Sequence, residues 1–252
     1  MENWSGFIRE PGLVLIRKTL CKSETWKKNQ VSDYKSVEIL LSPNASSLYI
    51  FFGGIAGAIG MPSFEFYNAS KIIKENKIFL RDFSQCWYQN GLAGVSNNIQ
   101  STAMYIKTQI GSIKPDKIFF VGNSMGGYAA ILFSEIIGQG EVIAFSPQTF
   151  ISPLLRLKYK DFRWQKQIIT TYRNSLFHRY IWDTKPLLSK ERKSRKLSIF
   201  VSKNDRIDMI HAKHIKGEAG VQVFEFEDGG HGLVKLLRDE GHLPRIMLGK
   251  YI

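Results

Sequence analysis

The sequence predicts an α/β fold, a mostly parallel sheet flanked by helices, in a single domain over residues 1–252. Three observations predict it. Short apolar runs rich in aromatic and β-branched residues alternate with longer stretches of helical pattern, the rhythm of successive βα units. One run, Lys117-Ile118-Phe119-Phe120-Val121, breaks into Gly122-Asn123-Ser124-Met125-Gly126 and then into Ala129-Ala130-Ile131-Leu132-Phe133, which has the composition of a packed helix. Finally, 252 residues with 44% hydrophobic and 13% aromatic content are ample for one large core.

In chain order, Leu13-Val14-Leu15-Ile16 is the first expected strand and Val37 to Leu41 the second, stopped by Ser42-Pro43-Asn44. Leu48 to Phe52 is the third and runs into Gly53-Gly54, where the lack of side chains permits close backbone approach to a ligand. Pro62 to Asn76 reads as a helix with Pro62 suited to its first turn. Lys77 to Leu80 is the fourth strand. The loop after it leaves the same end of the sheet as Ser124, so Arg81, Trp87 and Tyr88 are candidates to line a substrate pocket. An Arg81–Asp82 ion pair with the aromatics as plain packing is the alternative. Asn98 to Ile113 is a helix, the run ending at Ser124 the fifth strand, and Glu141 to Phe145 the sixth. Leu197 to Val201 and Val221 to Phe226 complete the sheet, and a closing helix begins near Leu233.

Between the sixth strand and Leu197 the pattern changes. Residues 151–196 carry 13 Lys or Arg against 3 acidic residues, with aromatics throughout. The segment is too long for a βα loop and has helical character, so it reads as a basic helical lid over Ser124. The whole chain carries +13, which bears on partners and not on fold. The expectation is a polar or anionic small-molecule or saccharide substrate. The same charge suits peripheral contact with an anionic membrane surface. No nucleic-acid recognition motif accompanies it. Cys21 and Cys86 stand in no metal or redox spacing, and residues 1–6 lack a basic region followed by an apolar one. No apolar stretch is long enough to span a bilayer, and a cytoplasmic location is expected.

The chemistry centres on Ser124. Glycines at 122 and 126 let the backbone hold it in a sharp strand-to-helix turn with its hydroxyl exposed, the arrangement of a nucleophile elbow. A serine hydroxyl is a weak nucleophile until a base accepts its proton, and that base needs an acid to orient it. His231 follows the last strand among Asp228-Gly229-Gly230 and Gly232, and Asp205 follows the strand before it. Ser124, Asp205 and His231 are therefore the candidate triad. Asp208, on the same turn, is the rival acid, whereas Asp228 is too near His231 in sequence to reach across the ring. His211 and His214 sit three apart on an expected helix, but without a third ligand cluster they read as a solvated helix face, and no metal site is expected. His178 and His242 read as surface residues.

The stretch Gly122-Asn123-Ser124-Met125-Gly126-Gly127-Tyr128-Ala129-Ala130, the strand end Ala144-Phe145-Ser146-Pro147-Gln148 and the Gly229-Gly230-His231 loop resemble bacterial α/β-hydrolases. Phe52-Gly53-Gly54, Met61 to Phe66, and Arg81-Asp82 with Trp87-Tyr88 are similar to a branch associated with surface-polysaccharide biosynthesis. The resemblance implies an α/β-hydrolase fold and the family's chain order of serine, acid and histidine. It also implies an oxyanion hole from the N–H of Met125 and one near Gly54. Superfamily members include esterases, thioesterases, lipases and acyltransferases, so the resemblance names no substrate. The basic insertion, where many esterases carry an apolar one, speaks against a lipase. The expected function is a carboxylic-ester hydrolase working through a Ser124 acyl-enzyme on a polar or anionic acylated substrate, such as an acylated saccharide, with no cofactor. One alternative is an O-acyltransferase using acyl-CoA as donor to a surface-polysaccharide hydroxyl. Another is a non-catalytic protein of the same fold that binds glycan or a partner.

Overall fold

The computed structural model describes residues 35–55, 64–175, 180–189, 192 and 195–250. The described residues from Lys35 onward form one compact unit. Residues 1–34, which the expected single domain and its first strand at Leu13–Ile16 would include, lie outside the described residues.

Among the described residues seven strands form one sheet: β1 (Val37–Leu40), β2 (Ser47–Phe52), β3 (Asn76–Leu80), β4 (Lys117–Asn123), β5 (Glu141–Phe145), β6 (Leu197–Ser202) and β7 (Val221–Phe226). Their order is β1-β3-β2-β4-β5-β6-β7. Edge strand β1 runs antiparallel to β3 and every other pairing is parallel. This is the mostly parallel sheet that the sequence predicts.

The apolar runs arise because the sheet is covered on both faces. Along β2, every residue is buried. Leu48, Ile50 and Phe52 point into one core with Phe120, Tyr128 and Phe133. Tyr49 and Phe51 point into the other with Phe119, Val121, Phe145 and Phe200. Helices α1 (Ile99–Ile113) and α2 (Met125–Ile137) cover the first face. Asn98 starts α1 by accepting the Ser101 N–H at 2.7 Å, and Ser101 Oγ accepts the Asn98 N–H in return.

Among the described residues between β5 and β6 lie three helices, α3 (Pro153–Tyr159), α4 (Gln165–Asn174) and α5 (Lys185–Leu188). The expected insertion is thus present as helical structure. It follows the fifth described strand, the sixth of the expected series. After β6 come α6 (Arg206–Ile215), then β7, α7 (Leu233–Asp239) and α8 (Leu243–Met247), the last two packing on the second face. Among the described residues no helix is long and apolar enough to cross a membrane.

The helix expected over 62–76 does not form in its described part, which holds only a 3-10 turn at Ala69–Ile72. Phe66 has φ 64, outside the right-handed helical region. What drives the departure is aromatic burial: Phe66 stacks 5.7 Å from Phe51 and Phe64 lies 6.0 Å from Phe79.

In the parallel register Phe52 pairs with Gly122, Asn123 with Phe145, Phe145 with Phe200 and Ser202 with Phe226. Strand ends in step bring the loops after β2, β4, β5, β6 and β7 to one edge of the sheet, where ligands bind in open α/β sheets.

Candidate active site

The turn between β4 and α2 leaves no room for side chains at its glycines. A Cβ on Gly122 would sit 2.1 Å from the Gly126 carbonyl oxygen, and one on Gly126 would sit 2.1 Å from the Phe52 carbonyl oxygen. Ser124 is held at φ 54 and ψ −116, a strained conformation for a residue with a Cβ. Its N–H donates to the Phe145 carbonyl at 2.9 Å, and its own carbonyl accepts from the N–H of Tyr128 at 3.1 Å and of Gln148 at 3.3 Å. These bonds hold the serine where φ and ψ alone would not.

His231 Nε2 lies 3.0 Å from Ser124 Oγ. On the other side of the ring, His231 Nδ1 lies 2.8 Å from Asp208 Oδ2 and 3.0 Å from Oδ1. The acid beside the histidine is therefore Asp208, and the expectation of Asp205 is corrected. Asp205 is the N-cap of α6, where its Oδ1 accepts the N–H of Ile207 at 3.0 Å and of Asp208 at 2.9 Å. That cap points Asp208, three residues on, into the protein with no exposed side-chain surface. Burial pushes the Asp208 carboxyl upward, but hydrogen bonding and charge from His231 and Arg163 outweigh it and leave it below the usual carboxylate range. The order serine, acid, histidine is unchanged.

Met125 is the first residue of α2, so its N–H has no acceptor within the helix. Gly54 reaches the elbow, since a Cβ there would lie 3.1 Å from the Asn123 carbonyl oxygen. Its N–H, however, already donates to Glu65 Oε2 at 2.6 Å, and Asn123 Nδ2 donates to Glu65 Oε1 at 3.0 Å. The N–H of Gly54, expected as an oxyanion donor, is thus committed to Glu65. Burial raises the Glu65 carboxyl above its ordinary range despite these bonds and the opposing charge of His231.

The residues expected to line a pocket after β3 are not gathered there. Trp87 and Tyr88 are fully buried in the core. Trp87 Nε1 donates to Gln148 Oε1 at 2.7 Å, and the Tyr88 hydroxyl lies 3.0 Å from the carbonyls of both Gly53 and Leu80. They brace the loops that carry Gly54 and Gln148. The Arg81 guanidinium lies over the Phe83 ring, 4.8 Å from its centroid. Asp82 accepts the N–H groups of Ser84, Cys86 and Tyr88 at 2.8–2.9 Å, which shapes the loop.

Residues that sequence reasoning missed come from the insertion. Arg163 Nη1 donates to Asp208 Oδ1 at 2.7 Å and lies 3.3 Å from His231 Nδ1. The Trp164 ring centroid is 6.4 Å from that of His231. Asp161 holds Arg163 through Nε at 3.0 Å and also meets Arg156 at 3.4 Å and His211 Nε2 at 3.2 Å. One signal was available: Asp161 is one of three acids in a strongly basic stretch.

His211 is fully buried, not on a solvated face as expected. Its Nδ1 accepts the Thr149 N–H at 3.1 Å, which leaves Nε2 to donate to Asp161. Burial lowers its pKa, with Asp161 opposing. His214 bonds Asp183 at 2.9 Å. His178 lies outside the described residues. Asp205, Asp208 and His231 bring ligand atoms within 4.8 Å of one another, spacing that a metal ion could use. Asp205 Oδ1 caps α6, Asp208 holds the imidazole and Arg163, and that guanidinium opposes a dication.

No family model matches the chain, and no curated protein matches its sequence. Solved structures do match in fold. The capsule O-acetyltransferase of Neisseria meningitidis serogroup A superposes with a TM-score of 0.61 at 14% identity, covering 88% of this chain and 93% of that one. A histidine-to-alanine mutant of it was solved in complex with CoA and matches with a TM-score of 0.55 at 13% identity, covering 87% of this chain and 93% of that one. MenH from S. aureus matches at 0.55 with 13% identity, over 85% of this chain and 96% of that one. A lipase-esterase related protein from Clostridium acetobutylicum matches at 0.54 with 14% identity, over 84% and 99%. The chain has the α/β-hydrolase fold.

Proposed function

We propose that this α/β-hydrolase-fold chain is a serine enzyme of acyl transfer, working through an acyl-enzyme on Ser124. The observation that carries the proposal is the unbroken line Ser124 Oγ, His231 Nε2, His231 Nδ1, Asp208 at 3.0 and 2.8 Å. Ser124 Oγ attacks the acyl carbonyl and its proton passes to His231 Nε2. Asp208 keeps the proton on Nδ1 and stabilises the imidazolium. The carbonyl oxygen takes up negative charge against the Met125 N–H at the start of α2. The Gly54 N–H joins it once Glu65 gives way. The tetrahedral species collapses, the C–O or C–S bond to the leaving group breaks, and His231 returns the proton to it. In the second half His231 takes a proton from the acceptor, which attacks the acyl-serine and frees Ser124.

Two acceptors compete. Water makes the enzyme a carboxylic-ester hydrolase; a saccharide hydroxyl, with acyl-CoA as donor, makes it an O-acyltransferase. The likeness to the capsule O-acetyltransferase supports the saccharide acceptor. Arg163 Nη2 and Trp164 Nε1 are buried donors without a partner among the described residues. Both belong to side chains beside His231, which supports a substrate rich in oxygen acceptors, anionic ones included. On the insertion, exposed Lys158, Lys160 and Lys166 among exposed Leu154, Leu157 and Phe162 support contact with an anionic membrane surface.

The test is intact mass after exposure to activated esters and acyl-CoAs. An acyl adduct mapping to Ser124, and lost in Ser124→Ala, is expected. Loss of acyl-CoA that needs an added glycan marks the transferase, and loss without it the hydrolase. No adduct, together with no labelling by a fluorophosphonate, would leave a non-catalytic binding protein.

A further inference from the structure

Arg163 stands between two buried carboxylates and is supplied by the insertion, not by the sheet that carries the triad. Its Nε donates to Asp161 Oδ1 at 3.0 Å and its Nη1 to Asp208 Oδ1 at 2.7 Å. Neither carboxylate has exposed side-chain surface. Asp161 also accepts the Arg163 backbone N–H at 3.1 Å, and Arg156 Nη2 donates to the Arg163 carbonyl at 2.7 Å, so backbone and side chain are fixed together. His211 joins Asp161 to α6, the helix that carries Asp208.

We propose that Arg163 is a positioning residue that the insertion contributes to the triad: it sets the orientation of Asp208 and moderates the charge that Asp208 presents to His231. A planar fork can hold two carboxylates in fixed directions at once, which a point charge on a flexible stem cannot. With Oδ1 committed to Arg163, Oδ2 is left as the closer partner of His231 Nδ1. That Nδ1 carries the proton shared with Asp208, and the 3.3 Å approach of Arg163 Nη1 places a cation beside the ring.

This inference rests on the acyl-enzyme reading of Ser124, and the test separates the two. The second-order rate of Ser124 labelling by a fluorophosphonate is followed by intact mass from pH 5 to 9. The charged and titratable groups around His231 are Asp208 and Asp205 from α6, Arg163 from the insertion, Ser124 from the elbow and Glu65 from the segment before β3. Arg163→Met should lower the plateau rate by about 10- to 100-fold, the loss of a charge-assisted hydrogen bond. It should also move the acid limb to higher pH, because Arg163 is one of the groups that hold the Asp208 carboxyl below its ordinary range. Arg163→Lys should keep the limb in place, since the charge remains, and restore only part of the plateau. Arg173→Met, an exposed charge on the same insertion, should leave both unchanged. An Arg163→Met profile with an unmoved limb would overturn the proposal, whatever its plateau. Should Arg163→Met fail to fold, an Arg163→Lys plateau equal to wild type would overturn it instead. No labelling of the wild-type protein would sink the Ser124 reading itself.

Discussion

At the residue scale, two aspartates three positions apart divide labour that the sequence leaves joined. Both follow β6 and both suit a triad in order, so what separates them is the start of α6. Asp205 stands just ahead of the helical run Ile207-Asp208-Met209-Ile210-His211, the position of an N-cap, and a capping oxygen is spent on backbone N–H groups. Asp208, one turn in, is free to turn inward. Ser124 and His231 were legible because glycines mark the loops that carry them. Choosing the acid needed the direction of a side chain, which residue types do not encode. Asp208→Asn should lower kcat/KM by on the order of 10⁴-fold at neutral pH, since an amide leaves the imidazole in the wrong tautomer and its cation unstabilised. Ser124→Ala should cost at least as much without unfolding the protein. Asp205→Asn, which keeps a capping oxygen, should leave kcat/KM within a few-fold, and Asp205→Ala should cost about 1 kcal/mol of stability. Steady-state kinetics and urea unfolding on the four variants check this, and the reverse ranking of the two aspartates would return the acid to Asp205.

At the element scale, strands and the β4–α2 turn were legible because each is a local signal: a buried apolar run, then glycines where backbones meet. The stretch after Gly54 was not, because the burial of Phe64 and Phe66 depends on Phe51 and Phe79 from separate strands. Trp87 and Tyr88 were left between pocket lining and plain packing for the same reason. An aromatic pair at the edge where the site lies suits a pocket wall or a buried brace equally, and only the partners Gln148, Gly53 and Leu80 decide it. The elbow itself is the most sensitive element. Gly126→Ala would put a Cβ 2.1 Å from a backbone oxygen of β2 that cannot move without disturbing the sheet. A loss of about 3 kcal/mol is expected, with the larger part of any surviving activity gone because Ser124 shifts too. Gly138→Ala is the control for space. Its Cβ would meet nothing within 4 Å, though its φ of +80 makes some strain unavoidable, so it should cost about 1 kcal/mol and leave activity per folded molecule intact. Denaturant midpoints with active-site titration distinguish the two.

At the scale of the whole molecule, the +10 of residues 151–196 (13 − 3) is real by count but not all of it projects as a field. Arg192 and Arg195 close on Glu135 at 2.8 Å each, with side chains 10%, 2% and 4% exposed. Glu135 lies 11 residues along α2 from Ser124, about 16 Å at 1.5 Å rise per residue, toward the opposite edge of the sheet. Composition cannot show pairing, which is why these cations looked like part of the site. Glu135→Gln should cost about 3–5 kcal/mol by stranding buried guanidinium groups, seen as a fall of about 10 °C in Tm, while activity per folded molecule holds. The cations that remain outward include Lys160 and Lys166, three residues to either side of Arg163. kcat/KM for an anionic substrate should therefore fall as salt shortens the Debye length below about 10 Å, and Lys160→Gln with Lys166→Gln should remove most of that dependence. A neutral ester should respond to neither. The same insertion exposes Leu154 by 79%, Leu157 by 67% and Phe162 by 55%, and its one acid between 151 and 175, Asp161, is buried. Pairing two copies through this segment would oppose cation to cation, whereas an anionic bilayer would satisfy both its charges and its apolar side chains. The protein should sediment with vesicles of phosphatidylglycerol and phosphatidylcholine and much less with phosphatidylcholine alone. Leu154→Ser with Leu157→Ser should weaken that binding at low salt without changing turnover of a soluble ester. Equal recovery with both vesicle types, or no effect of the leucine changes, would confine the charge to substrate capture.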